Sequence, residues 1–107
     1  MMARLRAAER NGMSLRSTGA VVAQVWRDPR GRQAELARLL GAVEVRSVDE
    51  RLGREGGVLL GRARLGDAVD ATLVAICESG DRLLTRDPDD LRQLAQAAGI
   101  SVDIVRV

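Results

Sequence analysis

Histidine is absent from this 107-residue chain, as are lysine, phenylalanine and tyrosine, and it has a single cysteine. Without histidine there can be no Ser-His-Asp or Cys-His catalysis and no imidazole-ligated metal. Cys77 alone cannot close an internal disulfide, and no CxxC pair points to zinc. Any metal must therefore be held by oxygen, which favours Mg²⁺ or Mn²⁺. With Trp26 as the sole aromatic residue, a base-stacking platform is not expected. No apolar run reaches the roughly 18–20 residues of a membrane span, and MMARLRAAER has no signal-peptide core, so a cytoplasmic location is expected.

All 17 basic residues are arginine, yet the net charge is only +2. That bias, with abundant Ala, Gly and Val, matches GC-rich codon usage and does not by itself indicate a polyanion partner. The length fits one domain with one modest core.

Hydrophobic periodicity organises the chain. Residues 1–13 read as a helix with Met2, Leu5 and Ala8 on one face, stopped at Asn11-Gly12. A short extended piece near Leu15–Ser17 leads into a helix capped by Ser17 or Thr18 that carries Val21, Val22, Val25 and Trp26. Asp28-Pro29-Arg30-Gly31 is a turn. Gln33–Leu40 predicts a helix ended by Gly41, and Val43–Val48 alternates as a strand. Asp49 caps a helix reaching Leu60 despite Gly56-Gly57, and Arg62–Gly66 links to a largely apolar helix over Ala68–Glu78. Arg82–Thr85 is a buried strand, Pro88 opens a helix to Ala98-Gly99, and Val102–Val107 is a final strand. Strands alternating with helices predict an α/β fold, a parallel sheet flanked by helices.

The chemistry is concentrated in acids near the carboxyl end of a strand, where parallel sheets bind ligands. LLTRDPDDL (Leu83–Leu91) places Thr85, Asp87, Asp89 and Asp90 there. Asp67 and Asp70 open the preceding helix three residues apart, on one face. Each has a plain structural role available: Asp67 and Asp87 as N-caps, and Asp89 and Asp90 as first-turn acids facing a helix dipole. Asp70 is different, because a carboxylate at the start of an apolar helix needs a partner or a cation.

The run DAVDATLVAICESGDRLLTRDPDDLRQLAQAAG resembles the C-terminal half of a PIN domain, the nuclease fold of VapC-type toxins. GAVVAQVWR (Gly19–Arg27) resembles that family's helix after its second strand. The resemblance implies hydrolysis of RNA phosphodiesters with Mg²⁺ or Mn²⁺, by an enzyme of a toxin–antitoxin pair. Asp70 and Asp87 match the family's catalytic acids, with Asp67 and Asp89 as further metal ligands and Thr85 as the strand-end hydroxyl. Arg86 and Arg27 are candidate phosphate contacts. A cognate antitoxin is implied by the family alone, and a homodimer is a further expectation.

Two departures accompany the likeness. The family's first strand and its Asp have no counterpart, so the sequence reads as a PIN-like domain with the first strand missing. A truncated product or an internal start at Met1 or Met2 would explain that. Gln24 stands where the family carries a Glu, and an amide brings no negative charge. A non-catalytic remnant that binds antitoxin or RNA, or dimerises, is the alternative. A receiver-like or phosphatase fold would need a nucleophilic Asp on an early strand, and the sole candidate is Asp28.

Overall fold

The computed structural model describes residues 7, 10–27 and 33–107. These form two compact units, Met1–Ser47 and Val48–Val107. Each contains one two-stranded parallel sheet. The α/β class therefore holds, with two small parallel sheets in place of the single sheet expected. Among the described residues no helix is long and apolar enough to cross a membrane.

The N-terminal unit runs β1 (Leu15–Thr18), α1 (Gly19–Val25), α2 (Ala34–Leu40) and β2 (Val43–Arg46). Thr18 ends β1 and caps α1. Its Oγ1 accepts the Val21 N–H at 3.4 Å, satisfying a donor that the first helical turn leaves open. The strands pair from Leu15↔Val43 to Thr18↔Arg46. The alternation over Val43–Val48 yields strand only to Arg46, and Val45 stays 41% exposed. Most of the expected first helix lies outside the described residues, as does the turn at Asp28–Gly31. Ala7 and Arg10 are helical, and the Asn11 N–H donates to the Ala7 carbonyl at 3.1 Å.

The C-terminal unit runs α3 (Glu50–Ala63), α4 (Ala68–Ala75), β3 (Arg82–Thr85), α5 (Pro88–Ala98) and β4 (Asp103–Arg106). Leu59, Ala71, Val74, Leu83, Leu91 and Leu94 form its core, with Ala71 and Leu94 fully buried. Leu59 of α3, Ala71 and Val74 of α4, and Leu91 and Leu94 of α5 bring the three helices together in one cluster with Leu83 of β3. Burying a leucine such as Leu94 contributes about 1.5–3 kcal/mol. Gly56 faces α4, where a Cβ would lie in ordinary contact, 3.6 Å from Ala71.

Two helix ends differ from expectation, each for a local reason. α3 continues past Leu60 to Ala63, because Leu60 and Ala63 also pack on the core. It closes at Arg64, whose N–H donates to the Leu60 carbonyl, while the Leu65 N–H reaches the same oxygen at 3.1 Å. Arg64 adopts the left-handed conformation, φ 57° and ψ 45°, which costs a residue with a Cβ about 1–2 kcal/mol. α4 stops at Ala75 rather than Glu78. The Asp81 carboxylate accepts the Glu78 N–H at 2.8 Å and the Asp81 N–H donates back to the Glu78 carbonyl at 3.0 Å, so a turn outcompetes the last helical turn.

β3 and β4 pair from Arg82↔Asp103 to Thr85↔Arg106. Backbone bonds extend the ladder at both ends, Gly80 N–H to Ser101 at 2.8 Å and Val107 N–H to Thr85 at 2.9 Å. The first pair also carries an ion pair, Arg82 to Asp103 at 3.1 Å. α5 ends at Gly99 in the left-handed region, φ 70°, the usual glycine stop.

Candidate metal and phosphate site

The acids at the end of β3 are sorted by what their carboxylates already do. Asp67 caps α4, its Oδ1 accepting the Asp70 N–H at 3.1 Å, so its structural role is real. Asp89 is exposed and ion-paired with Arg92 at 3.0 Å, one helical turn away. Asp87 occupies the N-cap position of α5, yet its side chain makes no cap hydrogen bond. Pro88 follows and has no N–H to satisfy, which lowers the demand for a cap. The Asp87 backbone is held instead by Thr85, whose Oγ1 accepts the Asp87 N–H at 3.0 Å. The strand-end hydroxyl thus fixes the loop that presents the carboxylate.

Asp70 is half-buried on the first turn of α4. Its pKa rises from 3.8 to about 6, first because burial disfavours the charged form, then through the negative charges of Asp67, Asp90 and Asp87. Four carboxylates from the starts of two helices therefore share one electrostatic environment. Helix N-termini offset part of that repulsion. What remains is a concentration of negative charge that a cation or protons would relieve.

Asp90 is the participant that sequence reasoning passed over in favour of Asp89. Asp90, in the first turn of α5, acts with Asp87 on Asp70, whereas Asp89 pairs with Arg92. The remaining expected residues are placed apart or left exposed. Arg86 is exposed in the turn between Thr85 and Asp87. Gln24 is exposed on α1, in the N-terminal unit. Arg27, in the same unit, closes α1 by donating to the Ala23 and Trp26 carbonyls at 3.2 and 2.8 Å.

Among the described residues, no three Asp, Glu, Cys or His side chains converge into a ready-made metal cage. The donors at hand are carboxylate oxygens only, which suits an ion that keeps much of its water, as Mg²⁺ does. Elsewhere in the C-terminal unit, an open groove of about 330 Å³ is lined by Val58, Leu59, Val74, Cys77 and Ile100, with Glu55 and Arg62 at its rim. None of the clustered aspartates lines it. Cys77 is half-buried there and donates its S–H to the Leu73 carbonyl, as expected of a packing residue.

No protein-family model, curated protein or solved structure matches the chain.

Proposed function

We propose that the C-terminal unit carries the acidic site of a PIN-type, divalent-metal-dependent endoribonuclease of the toxin–antitoxin kind. The observation that carries this reading is a carboxylate, Asp87, that the fold positions through Thr85 but does not use. It stands with Asp90 and Asp67 in the field that raises the pKa of Asp70. A fold seldom gathers like charges without a function that needs them.

Asp70 and Asp87 would hold Mg²⁺ or Mn²⁺, with Asp67 and Asp90 adding charge at the margin. A bound ion of this kind supplies charge neutralisation at the phosphoryl oxygens and a more acidic water. The chain's own residues do the rest. Thr85 fixes the Asp87 backbone, Asp67 locks the turn that bears Asp70, and Arg86 offers a guanidinium beside the acids for a phosphate. In the reaction, water attacks phosphorus and one P–O bond of the RNA backbone breaks. The test is cleavage of labelled single-stranded RNA with Mg²⁺, Mn²⁺ or EDTA, for the wild type and Asp87→Asn. Cleavage that needs the metal and falls at least 100-fold in Asp87→Asn supports the reading. Cleavage that persists in Asp87→Asn ends it.

A second reading has its own observation. No three-ligand cage exists among the described residues, and Gln24 brings no charge. A non-catalytic PIN-like module that binds RNA or an antitoxin fits those facts. It predicts RNA or antitoxin binding without metal-dependent cleavage.

A further inference from the structure

The open groove of the C-terminal unit, about 330 Å³, runs between α3 and the C-terminal ends of α4 and α5. Two core residues, Leu59 and Val74, belong to its lining, so its inner surface is apolar. Val58 stands on the α3 side of the groove and is 51% exposed, the most exposed large apolar side chain among the described residues of this unit. One face of the unit therefore offers both an apolar projection and an apolar recess. Surfaces of that kind mark contacts with another macromolecule.

The charges at the rim point to what that macromolecule is. Glu55 lies three residues before Val58 and Arg62 lies four after it, on the same face of α3. The midpoint of that acid and base falls between Val58 and Leu59. A second α3 laid antiparallel over this midpoint sets Glu55 against the partner's Arg62, and Arg62 against the partner's Glu55. The same overlay carries Val58 onto the partner's Leu59, inside the groove. A parallel overlay in register would instead set acid on acid and arginine on arginine. Glu55 also holds Arg51 at 3.3 Å through Oε1, and a carboxylate can accept from a second guanidinium at its other oxygen.

We propose that the groove face of α3 is an interface between two copies of this chain, packed antiparallel about Val58 and Leu59. Val58 of each copy occupies the groove of the other, and the two Glu55–Arg62 pairs close the polar rim. Such a contact is self-complementary under twofold rotation, so assembly stops at two chains. The inference stands apart from the ribonuclease reading. Asp70 and Asp87 lie at the N-terminal ends of α4 and α5, whereas the groove lies at their C-terminal ends. Pairing through α3 leaves the acids of both copies uncovered.

Sedimentation equilibrium of the full chain, from low to high micromolar concentration, tests it. Wild type should pass from the mass of one chain to that of two. Val58→Glu should weaken the dimer at least tenfold, while the melt of the dilute monomer stays unchanged because Val58 is exposed. Glu55→Arg and Arg62→Glu should each weaken it about tenfold, since either one sets like charges together. The two combined should restore pairing close to wild type. Both positions are exposed in the monomer, so this swap remains decisive even if Val58→Glu fails to fold. A wild type that stays monomeric at high micromolar concentration overturns the proposal and leaves the groove to another occupant. A dimer indifferent to Val58→Glu, or a double variant no tighter than the single ones, overturns it equally. None of these outcomes touches the ribonuclease reading, which stands or falls on RNA cleavage.

Discussion

The Asp67 carboxylate accepts the Asp70 N–H at 3.1 Å, while its charge adds to the burial that raises the Asp70 pKa. One side chain thus stabilises the start of α4 and burdens the residue that the helix presents. Each of the two effects is measurable.

The first consequence is a stability that depends on pH with a sign opposite to that of an ion-paired aspartate. In the unfolded chain Asp70 titrates near 3.8, and in the folded protein near 6. Between those values the native state binds more protons than the unfolded one, so stability falls as pH rises. The loss is absent below about pH 4 and complete above pH 6–7. After allowance for solvent screening it amounts to roughly 1–2 kcal/mol. Asp70→Asn should flatten the profile and melt higher than wild type at neutral pH. Thermal melts from pH 4 to pH 7 without divalent metal decide it; a wild-type curve as flat as the variant's contradicts the assignment.

The same repulsion predicts a response to cations. At neutral pH, Mg²⁺ or Mn²⁺ should raise the wild-type melting temperature by neutralising the cluster, through preferential binding to the folded state. Asp70→Asn and Asp87→Asn should each respond less. Equal shifts in all three proteins would mean that the ion acts elsewhere on the surface.

Asp89 and Asp90 are adjacent in sequence and opposite in expected effect. Asp89→Asn removes an exposed pair with Arg92 and should change stability by less than about 0.5 kcal/mol, with RNA cleavage near wild type. Asp90→Asn should lower cleavage by about 10- to 100-fold. Rates for the two variants, measured side by side, show which acid belongs to the site.

The glycines of α3 separate packing from propensity. A Cβ on Gly57 meets nothing within 4 Å, so Gly57→Ala should stabilise by about 0.5–1 kcal/mol through helix propensity. At Gly56 a Cβ already stands 3.6 Å from Ala71. Gly56→Leu carries further carbons into α4 and should cost about 1–3 kcal/mol. Denaturant midpoints of the two variants are the check.

Much of this was legible in the residues. Thr18, Asp49, Asp67 and Gly99 mark helix ends because capping is local chemistry, read from one residue and its neighbours. The buried stripe of α5 follows from its 3.6-residue period. What the sequence could not convey depended on competition between neighbours. The Asp81 turn shortens α4, core contacts of Ala63 lengthen α3, and Arg92 pairs with Asp89 while Asp90 joins the field at Asp70. The division into two small sheets was equally out of reach, since periodicity names strands but not their partners. The left-handed Arg64 breaks a local rule, and for that reason no local rule could have found it.

The β3–β4 pair, joined through α5, also has a kinetic meaning. Its first partners, Arg82 and Asp103, lie only 21 residues apart in the chain. Closing such a loop costs little entropy, and contacts this close in sequence favour rapid folding. Asp70, Asp87 and Asp90 all belong to this locally closing stretch or the helix just before it. Their mutual repulsion is met only when α4 packs on α5, a step separate from the strand pairing. Protonating them, or supplying a divalent ion, would speed that step.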